Sequence, residues 1–335
     1  MNKKILISIL VLVAVGIVYY VVNKKPWGIN YKDIADFAIE DTSSIDKIFI
    51  VDREGNNVTL TKKENGYWLV NNNKRADNSK MELLLFTMKT MKVLRPVSEN
   101  EHNTAIGNLA TEGIKAEFYS KNNTVKTLYI GSSTPEQNGT YMLIEGSSKA
   151  YATHIPGFFG FLTTRFISDS LVWRDRTVFN YTPEQIKKIE INYGNGNGFI
   201  IDNTQNNAPQ VLNLNNTPKA ISDIQFVKYY VGSFKQLNFD GYDENQNAHV
   251  MDSLHNNAQA FCTITVTDIN NQPNSLTLYA KPIDKHTKQL YDTVTNKAFT
   301  SDQERYWAFM NSDKSLMLVQ QFNFGRVLKQ LTDFK

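Results

Sequence analysis

The sequence predicts an α+β protein. An N-terminal transmembrane helix precedes two tandem α+β repeats, each built of antiparallel hairpins and sheets with amphipathic helices. Two observations carry this. Ile5 to Val22, "ILISILVLVAVGIVYYVV", is an uncharged, predominantly apolar run. Ile45, Ile48 and Ile50 then recur as Ile186, Ile189 and Ile191 at one offset, 186 − 45 = 141. The expected organisation is an anchor over residues 1–27, a first repeat over 28–180 and a second over 181–335.

As a helix the apolar run would extend about 27 Å, close to the hydrocarbon thickness of a bilayer. Lys3 and Lys4 precede it, and Tyr19, Tyr20 and Trp27 stand where interfacial aromatics belong. A cleaved signal peptide is the competing reading, with Ala14-Val15-Gly16 as a small-x-small site. The apolar "IVYYVV" beyond that site favours an uncleaved anchor. The short basic head predicts a single-pass bacterial inner-membrane protein with its body in the periplasm and the membrane contacted through residues 5–22.

In each repeat the strand runs into a Gly/Asn turn, "REGNN" or "GNGNG", and resumes as "VTLTKK" or "FIIDN". Strand, turn, strand is a hairpin signature. The Gly-x-Gly-x-Gly run therefore reads as a turn and not as a nucleotide cradle, which requires a helix to open after the glycines. Next come helical spacings, with Met81, Leu84, Leu85, Met88 and Met91 on one face and Ile221, Ile224, Val227, Val231 and Phe234 on the other repeat's. A second strand pair follows, where Leu128-Tyr129 reads opposite Leu278-Tyr279 at offset 150 and "DGYDENQNAHVMDSLHNN" reads as an insertion. Ala150-Tyr151 falls opposite Ala298-Phe299, and "GFFGFL" and "RYWAFM" close the repeats as short core helices.

Charge excludes nucleic acid as a partner. The 36 basic and 33 acidic residues are interspersed and leave a net charge of only +3. Cys262, alone in the chain and set in the alternating run "AFCTITV", reads as a buried thiol. His102, His154, His249, His255 and His286 show no metal spacing, so no catalytic, metal or cofactor residue is expected. "SLVWRDRTVFNY" between the repeats supplies the one candidate contact patch, Trp173, Arg174 and Arg176, able to clamp an anionic partner. The same residues also fit an inter-repeat strand with a packed Trp.

Trp68, Ala76-Asp77, Arg95, Ser98, Ile130-Gly131, Thr134-Pro135, Gly139 and Tyr141 resemble the pattern of a family known as domain of unknown function 4340. Its "Y-G-L" segment is matched only loosely, by "AIGNLATEGIKAEF". The resemblance implies a membrane-anchored bacterial envelope protein with no assigned reaction, some of whose relatives accompany ABC-type components associated with gliding motility. The expected function is a non-enzymatic envelope scaffold or accessory of a transport, secretion or gliding-type machinery that binds protein or polymer. The alternatives are a glycan-acting enzyme using carboxylates such as Asp240, Asp243 and Glu244, or a substrate-binding accessory of an ABC transporter.

Overall fold

The computed structural model describes residues 36–335 apart from 148, 205–207, 244, 245, 247 and 257. The chain divides after Ser170 into two compact units.

The first unit contains β1 (Lys47–Val51), β2 (Asn57–Lys62), β3 (Trp68–Val70), β4 (Lys74–Arg75), α1 (Asn78–Thr90), β5 (Lys92–Pro96) and α2 (Glu99–Thr111). It continues with β6 (Ile114–Ser120), β7 (Asn123–Ser133), β8 (Thr140–Ile144) and β9 (Tyr151–His154). Its nine strands form one sheet in the order β4-β3-β2-β1-β6-β7-β8-β9-β5, with every pairing antiparallel. Alternation explains the sheet: Ile48, Ile50, Val58 and Leu60 are fully buried, while Phe49 and Thr59 between them are not. α1 starts where the Asp77 carboxylate accepts the Ser79 and Lys80 amides, and it buries Met81, Leu84 and Met88.

The second unit begins within α3 (Ser170–Trp173) and contains β10 (Thr177–Phe179), β11 (Ile186–Tyr193), β12 (Gly198–Asp202), β13 (Gln210–Leu212), α4 (Ile224–Gly232), β14 (Leu237–Asn238) and β15 (Gly241–Tyr242). It ends with α5 (Ala248–Asn256), β16 (Cys262–Asp268), β17 (Pro273–Ala280), β18 (Arg305–Met310), β19 (Asp313–Gln320) and α6 (Gln321–Phe324). Eight strands order as β13-β12-β11-β16-β17-β18-β19-β15, and β10 pairs with β14 in a small separate sheet.

The two large sheets repeat one topology. Ile50 lies between Val58 and Ala116, and Ile191 lies between Phe199 and Ile264. The offset of 141 thus extends to the second strand (199 − 58) and becomes 148 at the third (264 − 116). It stays at 148 on β7 and β17 (276 − 128), so Leu128 corresponds to Leu276 and not to Leu278. On β8 and β18 it rises to 166 (308 − 142). The hairpin turns coincide as well. Asp52 donates its amide to the Asn56 carbonyl and Tyr193 to that of Asn197, with Gly55 and Gly196 at φ +89° and +82°. Such φ values favour glycine because a Cβ would clash with the chain.

Several expectations are corrected. The fold is mostly β: three antiparallel sheets, with 36% strand against 21% helix among the described residues, replace the α+β reading. "DGYDENQNAHVMDSLHNN" is no insertion. It carries β15 and α5, which occupy the places of β5 and α2. The added chain is residues 281–304, between β17 and β18, where the first unit needs only 134–139. "RYWAFM" is β18, a strand paired on both sides, because its alternating aromatics pack on two faces of a sheet. "GFFGFL" is a loop. The single-pass inner-membrane expectation is corrected too, since no helix among the described residues is long and apolar enough to cross a membrane. The segment Ile5 to Val22 on which it rested lies outside the described residues.

Candidate functional site

Some residues of the family pattern meet in the first unit, around β5 and β8, while Trp68 lies on β3 toward the opposite edge of the sheet. At the end of β5, Arg95 grips the Glu101 carboxylate with both terminal nitrogens, at 2.7 and 2.9 Å. Ser98 is the N-cap of α2, and its hydroxyl and amide both donate to Glu101 Oε2, at 3.0 and 3.3 Å. Tyr141 on β8 adds its hydroxyl to Oε1 at 3.3 Å. The Arg95 hydrogen bonds hold the Glu101 carboxyl down at about 2, and the same contact raises Arg95. Thr134 and Gly139 shape the adjoining turn, where Thr134 donates its amide to the Gly139 carbonyl at 2.9 Å. The carboxylate is saturated with donors and permanently ionised at neutral pH. That suits a clamp between β5, α2 and β8 and does not suit a proton-transfer group.

The candidate patch between the repeats is largely spent on packing. Trp173 is only 2% exposed. Arg174 lies over the Tyr242 ring with its guanidinium carbon 5.0 Å from the centroid, and Arg176 donates to the Asp240 carbonyl. Asp175 accepts the Thr177 amide at 3.0 Å. The structure brings Arg174 and Arg176, both half-buried, to β15 and the residue before it, and buries Trp173.

The carboxylates considered for catalysis are fixed along the edge of the second sheet. Asp240 and Asp243 donate their amides to the Leu318 and Leu316 carbonyls. Burial pushes the Asp240 carboxyl up, against a hydrogen bond from Gln320. The Asp243 carboxylate accepts from Trp307 Nε1 at 3.0 Å and from Gln246 at 3.1 Å. Glu244 lies outside the described residues. Cys262 is fully buried, and burial pushes its thiol up to about 12. Among the described residues no group of three or more His, Cys, Asp or Glu is placed to hold a metal ion.

Two features escaped the sequence. In the first unit the loop between β9 and the 3₁₀ turn at Thr163–Arg165 is pinned from below. Leu162 donates its amide to Thr140 Oγ1 at 2.6 Å, Thr163 its hydroxyl to the Gly131 carbonyl at 2.7 Å, and Arg165 its guanidinium to Thr87 Oγ1 at 2.8 Å. Leu162 and Phe166 are fully buried, yet Phe159 at the apex is 93% exposed, with Phe158 and Phe161 half-exposed beside it. Arg165 also packs over the Phe158 ring, 4.5 Å from its centroid. α1, to which Arg165 is tied, leaves Leu83 and Phe86 about half-exposed. The aromatic cluster was visible in the sequence but read there as a short core helix.

The second feature is the added stretch 281–304. Asp302, with no side-chain exposure, accepts from Arg305 and lies 3.7 Å from the buried Lys281 ammonium, which also grips Asp284 at 2.6 Å. That contact holds the Asp284 carboxyl at about 2. Arg305 further donates to the His286 carbonyl at 2.7 Å.

Two antiparallel sheets of one topology, repeated in tandem along the chain, define a duplicated antiparallel β protein. The chain belongs to the family described as Domain of unknown function (DUF4340), which it matches over residues 68–253, from β3 of the first unit into α5 of the second. No curated protein and no solved structure matches it.

Proposed function

We propose that the protein is a non-enzymatic scaffold that binds a macromolecular partner. Its setting is an accessory role in a transport, secretion or gliding-type machinery, as the family resemblance implies. The observation that carries the proposal is the Phe158–Phe161 loop. A large aromatic 93% exposed on a loop fastened by four separate contacts is costly to keep in water and already ordered for docking. Aromatic side chains are also where binding energy concentrates. The carboxylates favour the same reading, because those of Glu101, Asp243, Asp284 and Asp302 are occupied by internal donors.

The test is in-cell crosslinking from a photoreactive residue at position 161, in the native chain and in Phe159→Ser. A crosslinked species that disappears in the variant, at unchanged melting temperature, is the expected result. Identical crosslinks in both chains, or none, overturn the assignment of this loop.

A further inference from the structure

The cavity over the added stretch of the second unit points to a second ligand, independent of the aromatic loop. This open groove of about 520 Å³ is lined by Lys288, Gln289, Glu304, Arg305, Gln321 and Phe322, among others. We infer that it is an oligosaccharide-binding groove. Three observations bear on the ligand class.

Phe322 is 91% exposed on α6, a bare ring at the edge of an otherwise polar groove. A ring face carries negative quadrupole density and stacks on the polarised C–H face of a pyranose. Next, the side chains of Lys288, Gln289, Glu304 and Gln321 make no hydrogen bond or ion pair among the described residues. Amides are donor and acceptor at once, which is what vicinal sugar hydroxyls require. Finally, Arg305 is already committed to Asp302 and the His286 carbonyl, and Lys288 is offset by Glu304. The uncommitted charge is therefore balanced, which disfavours phosphate and nucleic acid.

The stretch that supplies Lys288, Gln289 and Glu304 to the groove is tied together at its ends. Lys281 and Asp302 are buried and ion-paired at the two ends of the 281–304 stretch, so the intervening chain is closed like a strap. Volume in this range accommodates a small ligand or a short segment of a polymer. The first unit, with residues 134–139 in this place, has no such strap.

The test is calorimetric titration of the full chain with cellohexaose, the N-acetylglucosamine hexamer and a hexuronate, and with inorganic phosphate as control. At least one hexasaccharide should bind with Kd below about 1 mM. Phe322→Ala and Gln321→Ala should each weaken it about tenfold at unchanged melting temperature. Lys288→Ala should affect the hexuronate selectively if that is the preferred sugar. Absence of binding by all three hexamers overturns the inference. So does binding that both variants leave intact, or phosphate binding in their place. Because Phe159 lies in the other unit, its crosslinking result is unaffected by either outcome.

Discussion

Tyr141 and Trp307 hold the same position in the two sheets, opposite Ala152 and Leu318 with an offset of 166 (307 − 141), and each donates its side-chain hydrogen to a carboxylate. The acids come from different places. Tyr141 reaches Glu101 on α2, and Trp307 reaches Asp243 just after β15. A hydrogen bond to a charged group is worth about 1.5–3 kcal/mol. Tyr141→Phe, at a 3.3 Å bond, is expected at the low end of that range. Urea unfolding at neutral pH reads it, and a midpoint equal to that of the native chain would show that the hydroxyl contributes nothing.

The Arg95–Glu101 pair predicts an acid sensitivity. Glu101 titrates near 4.5 when unfolded and near 2 when folded, so the unfolded chain binds more protons between those values. Its stabilisation is complete above about pH 4.5 and lost as pH falls toward 2. Asp284 behaves alike, from 3.8 down to about 2. In Glu101→Gln the fall in melting temperature across this window should be shallower than in the native chain; an equal slope removes the pair as its cause.

Trp173 is a test of packing against recognition. With 2% exposure, its truncation to Ala should cost about 3–5 kcal/mol. If stability is unchanged, the side chain is not part of the core, and the contact reading of Trp173, Arg174 and Arg176 regains its force.

Asp302 is expected to be among the costliest charges to remove. Asp302→Asn removes the buried carboxylate shared by Lys281 and Arg305, but Lys281 keeps Asp284 at 2.6 Å, so the cost should fall at the low end of the roughly 3–5 kcal/mol of a broken buried pair. Hydrogen exchange over 281–304 should accelerate along with the loss. Exchange at the native rate would mean that the strap is held by something else.

Cys262 should resist alkylation. With its thiol pushed up to about 12, almost no thiolate exists at pH 8, and the side chain is fully buried. Iodoacetamide should label it only after denaturation; rapid labelling of the folded chain would place it in an open site.

The sequence made the first half of each repeat legible because the same three isoleucines recur there and burial alternates from Ile48 and from Ile189 onward. Ile45, Ile48 and Ile50 and their counterparts 141 residues on are all buried, and a run of this kind fixes both strand and register. Beyond the first hairpin the signal weakened. Leu128-Tyr129 and Leu278-Tyr279 are alike as dipeptides but two residues out of register, a shift that keeps the same faces and so leaves no trace in the pattern. β15 has only two residues, too few to show alternation, which is why its segment read as an insertion. The candidate sites were harder still. Arg95 and Glu101, or Lys281 and Asp302, are individually ordinary charges, and only the fold brings them together.

The order of strands has a further consequence, for what happens at the margins of the sheets. An open sheet offers its outermost backbone groups to any passing strand, and a chain with two near-copies carries the means of pairing with itself or its neighbours. Here the outermost strands are stunted: β4 is Lys74–Arg75 alone, β13 has three residues and β15 two. β5, the longest of them, carries Lys92 and Arg95 and ends in Pro96, which has no amide hydrogen to give. Duplication of a β-rich unit invites fibril growth and strand exchange, and these blunt, basic or proline-ended borders leave such growth little to extend.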